Sequence, residues 1–208
     1  MSTHRLFVAL RPPRPVRDLL RAAMHGISAA RWQDDDQLHL TLRFIGEVDH
    51  HRAEDVAAAL GALHARIFAA RIAGVGSFER KGWPHTVWAG VEPLAPLTEL
   101  HHKVDQRLAR VGIAAETRAF QPHVTLARLG RLGRTAGPIA PFLARNNDLA
   151  SPRFDFTHVI LYESELAHGG ARYHPIARYP LDADSSATSA AATALTSSQV
   201  AAKPPSSP

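Results

Sequence analysis

Residues 38–42 read Leu-His-Leu-Thr-Leu, and residues 122–126 read Pro-His-Val-Thr-Leu. Alternation of apolar and polar side chains over such a length fits one local structure, a β-strand with one face buried. Leu38, Leu40 and Leu42 turn to one side of the first strand, Val124 and Leu126 to one side of the second. His39 with Thr41, and His123 with Thr125, share the opposite sides. The chain must therefore build two strands that each hold an imidazole and a hydroxyl together, off a core. Arg43 has the parity of His39 and Thr41 and is expected beside them.

The surrounding sequence supplies a mixed scaffold. Residues 5–10, 38–46, 70–78, 85–91, 123–129 and 156–164 read as strands. Residues 51–67 place Val56, Leu60 and Leu63 on one helical face, and residues 97–112 do the same with Leu97, Leu100, Val104 and Leu108. Gly112 is the expected stop of the latter helix. A further amphipathic stretch holds Val16, Leu19, Leu20 and Met24. Residues 5–67 and 85–126 share the same loose order of strand, helix and His-x-Thr strand. The expectation is an α+β fold of two similar lobes, with antiparallel-rich sheets around a central cleft and helices outside.

Two imidazoles suit acid–base chemistry near neutrality, where one ring can be neutral and the other protonated. Cleavage of a phosphodiester needs a base for the nucleophile and an acid for the departing oxygen. Hydroxyls and a guanidinium can hold the non-bridging oxygens. The formal net charge of +5 agrees with an anionic partner, although an arginine-rich surface alone would give the same balance. The absence of cysteine excludes thiolate nucleophiles, disulfides and cysteine-ligated zinc. The remaining histidines, including the pairs His50-His51 and His101-His102, follow no metal-ligand spacing and are expected at the surface. The acidic run Asp34–Asp36 is expected as a solvated loop. Phe7, Phe44 and Tyr162 are candidates for stacking a base, weighed against plain core packing.

Two His-h-Thr-h motifs (h, hydrophobic) in a chain of this size resemble the signature of the 2H phosphoesterase superfamily. The segments "RLFVAL", "LHLTLRFIGEV", "VWAGVEP", "FQPHVTLARL" and "LYESELAHGGARYHPIARYPL" follow in order. Together they resemble the RNA 2′,3′-cyclic phosphodiesterases, also called 2′-5′ RNA ligases, from His4 to Leu181. The resemblance implies a bilobal fold and hydrolysis of a terminal 2′,3′-cyclic phosphate to a 2′-phosphomonoester, with reversible 2′-5′ ligation. It implies His39 as proton donor and His123 as proton acceptor, with Thr41, Thr125 and Arg128 on the phosphate. By simple alternation Arg128 points away from His123; it reaches the cleft only if the strand twists, bulges or ends near Ala127. His85 departs from the basic residue expected there in relatives.

The reading divides the chain into residues 1–182, the catalytic domain, and 183–208, a disordered Ala/Ser/Thr/Pro-rich tail. It expects RNA with a cyclic phosphate end as partner, no metal or cofactor, a monomer, and a cytoplasmic location without leader or membrane span. Two alternatives stand beside it: a non-catalytic RNA-end or nucleotide-binding protein, and a phosphodiesterase for a different small cyclic phosphate.

Overall fold

Continuous apolar runs give buried strands, and 3.6-residue spacing gives helices that cover them; both patterns are realised. The computed structural model describes residues 3–28, 30–129, 139–167 and 170–183. In chain order these form β1 (Thr3–Leu10), α1 (Arg14–Ala23), β2 (Arg31–Trp32), a 3-10 turn (Asp35–Gln37), β3 (Leu40–Asp49) and α2 (His50–Gly61). There follow β4 (Phe68–Arg80), β5 (Trp83–Glu92), α3 (Leu94–Arg110), β6 (His123–Arg128) and α4 (Ala140–Arg145). The last elements are β7 (Phe154–Phe156), β8 (His158–Ala167) and β9 (Gly170–Pro180). Residues 184–208 of the expected tail, and His168 and Gly169 of the C-terminal likeness, lie outside the described residues.

The strands run in the order β7-β4-β5-β6-β3-β1-β8-β9, with β2 paired to β6. All named pairs are antiparallel. From the centre outward the order is β6-β5-β4-β7 on one side and β3-β1-β8-β9 on the other. Each half contains strand, helix and motif strand: β1-α1-β3 and β5-α3-β6. The two sheets of the fold are thus halves of one path, joined by the single pair Leu40–Val124 between the motif strands. Because the seam is so short, the halves can splay and leave a cleft above it, and both histidines flank it.

One face of this path is the core. Leu6, Val8, Leu10, Leu40, Leu42, Val124 and Leu126 meet Leu20 of α1, Val56 and Leu60 of α2, and Leu97, Leu100, Val104 and Leu108 of α3. Full burial of each such side chain contributes about 1.5–3 kcal/mol. Asp49 caps α2 by accepting from the Arg52 backbone N–H at 2.8 Å. Gly112 ends α3 with φ of +78°, a conformation that favours glycine.

Three boundaries differ from expectation. The second helix stops at Gly61, because Ala65–Ile67 are held by backbone bonds with Asp182. The strand expected over 156–164 is two strands broken at Thr157. β9 is an unexpected strand; it contains Pro175, which an edge strand tolerates, and β9 lies at the sheet's edge.

Candidate active site

Two bulges decide which side chains reach the cleft. Across β1 and β3 the partners are Ala9–Thr41, Val8–Arg43 and Phe7–Phe44, which leaves Leu42 as the extra residue. Across β5 and β6 they are Trp88–Thr125, Val87–Ala127 and Thr86–Arg128, which leaves Leu126 as the extra residue. Directly opposed residues share a face, and each bulge shifts the alternation by one. In both motifs the second residue after the threonine therefore turns to the core, and the third turns to the cleft. The third residue is Phe44 in one half and Arg128 in the other.

This corrects the expectation for Arg43, which simple alternation placed beside His39 and Thr41. Its side chain is 7% exposed and its guanidinium is committed elsewhere. Nε donates to Asp105 of α3 at 2.7 Å, Nη1 to the Phe44 carbonyl at 2.8 Å, and Nη2 to the Ala114 carbonyl. Glu116 lies 3.5 Å from Nη1. Arg43 closes part of the cavity wall while joining β3 to the chain after α3. Arg128 has the opposite situation. It is exposed, and among the described residues no hydrogen bond or ion pair holds its guanidinium.

A cavity of about 490 Å³ collects the remaining groups: His39, Thr41, His123, Thr125 and Arg128 all line it. His39 stands against aromatic rings, with Phe7 at 4.9 Å, Tyr173 edge-on at 5.1 Å and Tyr162 at 6.0 Å. Burial pushes its pKa down to about 4; the Gln37 backbone acts against this, and the charges of Arg128 and His123 add to it. Nδ1 is buried and, the Gln37 backbone contact aside, has no partner at normal hydrogen-bond geometry, so the edge left to the cavity carries Nε2. His123 is more open. Its Nδ1–H donates to the Gln121 carbonyl at 2.7 Å, which fixes the tautomer and leaves Nε2 as an acceptor in the neutral ring. Burial lowers its pKa as well; the Gln121 backbone opposes the shift and Arg128 adds to it. Both rings are therefore neutral in the free site near pH 7.

Phe7 and Tyr162 are not surfaces for a ligand. They are 2% and 3% exposed, stack on one another at 5.1 Å and back His39 from behind. Phe44 does face the cavity and is 54% exposed. Phe78 and Tyr173 also line the cavity, and neither stood out in the sequence. Phe78 meets His123 edge-on at 4.8 Å and Trp88 at 5.5 Å. Gly76 permits this group: a Cβ there would lie 2.3 Å from the Trp88 ring.

The acidic run before His39 is structural rather than merely solvated. Arg11 donates to Asp35 and Asp36 at 2.8 Å each, and Arg17 donates to Asp35 at 2.9 Å. The hydrogen bond from Arg17 holds the Asp35 carboxyl below its ordinary pKa. Gln37 reaches across to the Ala171 carbonyl at 2.8 Å. The turn that delivers His39 is thus tied to α1 and to β9.

His101, expected at the surface, is 6% exposed. Its Nδ1–H donates to the carbonyl of Leu42, the bulge residue, at 2.8 Å, and its ring stacks on Phe120 at 4.3 Å. His101→Ala leaves that carbonyl unpaired, at a cost of about 1–3 kcal/mol. For a chain of this length each kcal/mol lowers Tm by about 2–4 °C. Thermal unfolding followed by circular dichroism checks the expected fall; an unchanged Tm would remove His101 as anchor of the bulge.

Among the described residues no group of three or more histidine and acidic side chains is placed to hold a metal ion, and no helix is long and apolar enough to cross a membrane.

Residues 6–167 match the family model of the 2′-5′ RNA ligase superfamily. The chain is 30% identical over 152 residues to an RNA 2′,3′-cyclic phosphodiesterase of Geobacillus stearothermophilus, a match spanning 72% of this chain and 47% of that protein. It thus spans about half the length of that relative. It is 31% identical over 141 residues to the RNA 2′,3′-cyclic phosphodiesterase of Aeropyrum pernix, covering 67% of this chain and 80% of the other. Its fold is similar to that of Escherichia coli LigT crystallised with 3′-AMP, with a TM-score of 0.68 and 27% identity over 86% of this chain and 99% of that one.

Proposed function

Since the chain belongs to the 2′-5′ RNA ligase superfamily, we propose that it hydrolyses the 2′,3′-cyclic phosphate end of RNA to a 2′-phosphomonoester by two-histidine acid–base catalysis. The observation that carries this reading is the convergence of His39, Thr41, His123, Thr125 and Arg128 on one cavity at the seam of the two halves.

Nε2 of His123 takes a proton from water, and the water oxygen attacks phosphorus. The P–O3′ bond breaks, its electrons pass to O3′, and Nε2–H of His39 delivers the proton that completes the 3′-hydroxyl. Thr41 and Thr125 donate to non-bridging oxygens, and Arg128 balances the charge that grows on them. His39 must be protonated to act as acid, yet the free site holds its pKa near 4. The phosphate resolves this, because an anion beside Arg128 offsets the positive charge that disfavours imidazolium. Phe44, exposed at the cavity, offers a face to the terminal base. With an RNA 5′-hydroxyl in place of water, the same displacement forms a 2′-5′ bond and frees the 3′-hydroxyl; its reversal re-forms the cyclic phosphate and releases the 5′-hydroxyl. The reading assigns this work to a monomer in the cytoplasm, without metal or cofactor.

Incubation with a 2′,3′-cyclic mononucleotide in EDTA tests it. Multiple turnovers are expected. Binding without turnover would instead support a nucleotide-binding protein, and loss of turnover in EDTA would contradict the metal-free mechanism.

A further inference from the structure

Gln33 directly follows β2. Its backbone N–H donates to the carbonyl of Leu126, the second bulge residue, at 2.9 Å. Trp32 before it packs against Phe142 and the core, at 5.6 Å between ring centroids. Alternation then turns Gln33 towards the cleft, and it lines the same cavity as both histidines, both motif threonines and Arg128. β2 and β3 pair along β6 at residues 127–128 and 124, so Gln33 stands between the two motifs, at the seam.

The side chain is 5% exposed, and its Nε2 is buried without a hydrogen-bond partner. An unpaired buried amide costs folding free energy, and apolar residues of this size carry no such cost. A ligand that supplies the missing acceptor removes the penalty. We propose that Gln33 is a phosphate-binding residue, its carboxamide N–H donating to a non-bridging oxygen of the phosphoryl group between the two motifs. The last side-chain torsion of glutamine is broad, so the amide turns its donor into the cavity at small cost. Charge explains the choice of residue. Burial and Arg128 already push both imidazoles down, and a second cation would push them further; a neutral donor adds a hydrogen bond without that effect.

The inference rests on the acid–base reading of the cleft, and the test separates the two. Wild type, Gln33→Leu and Gln33→Glu are titrated with inorganic phosphate by calorimetry, and their Tm values are compared. Gln33→Leu is expected to bind phosphate about tenfold more weakly while its Tm stays equal or rises, because the orphaned donor is gone. Gln33→Glu is expected to bind more weakly still, since a carboxylate then faces the anion. Wild-type phosphate affinity in Gln33→Leu overturns the assignment, as does a loss of binding accompanied by a fall in Tm. Wild type that does not bind phosphate overturns it too. Separately, wild type that binds phosphate but turns over no cyclic nucleotide removes the catalytic reading and leaves the Gln33 comparison standing.

Discussion

Replacing His39 or His123 by alanine is expected to lower kcat for a 2′,3′-cyclic nucleotide about 10³-fold, with KM changed far less. A positioned proton donor or acceptor contributes roughly 10²–10⁴-fold to a rate. It does so mainly in the transition state, so the loss falls on kcat. The two substitutions act on one concerted transfer, so the double variant is expected to lose little more than either single one. The two sites differ in their structural cost. His123 is open on one edge and its ring is held by one local hydrogen bond, so His123→Ala should fold normally. His39 fills a space among Phe7, Tyr162 and Tyr173, so His39→Ala also creates a void and lowers Tm by a few degrees. His39→Asn fills more of that space and should recover stability without recovering turnover. Near-wild-type kcat in either alanine variant would remove the acid–base assignment.

Arg128→Ala is expected to lower kcat/KM about 10²-fold, the scale of losing one donor aimed at developing oxyanion charge. It should also shift the pH profile in a definite direction. Burial lowers the pKa values of His39 and His123, the Gln37 and Gln121 backbone opposes that, and the charge of Arg128 lowers them further. Removing it raises both. The base must be neutral to accept a proton, so the acid limb of kcat/KM against pH moves to higher pH. Arg128→Lys keeps the charge but loses the planar fork. It should leave the acid limb near its wild-type position while recovering only part of the rate. An acid limb that stays in place in Arg128→Ala would place the cation away from both rings.

Much of this site was legible before any coordinates, and the rest was hidden for identifiable reasons. Alternation alone put His39 with Thr41 and His123 with Thr125, and the helical face of α3 followed from Leu97, Leu100, Val104 and Leu108. Alternation failed one residue later. A bulge adds one residue and reverses every parity beyond it, and neither Leu42 nor Leu126 differs in kind from its neighbours. So Arg43 seemed to offer a free cation to the cleft and is instead tied into the cavity wall by Asp105 and the Ala114 carbonyl, while Arg128 seemed to point away and lines the cavity unpaired among the described residues. Phe7 and Tyr162 illustrate a second limit. Sequence does not distinguish a ring that meets a ligand from a ring that backs a histidine. His101 illustrates a third, since a helix face tolerates a histidine in the core once a strand carbonyl accepts its N–H. Gln33 carried no signal at all. Its importance comes from a two-residue strand and a missing hydrogen bond, both tertiary facts.

The central claim is that the two motif strands form one site with His39 on the leaving-group side and His123 on the water side. The position of phosphate in the product tests it most directly. Adenosine 2′,3′-cyclic monophosphate is incubated with the protein and the products are resolved by ³¹P NMR. The account predicts the 2′-phosphate alone, from cleavage of the bond to O3′. Accumulation of the 3′-phosphate would reverse the leaving group, and no product at all would contradict catalysis at the seam.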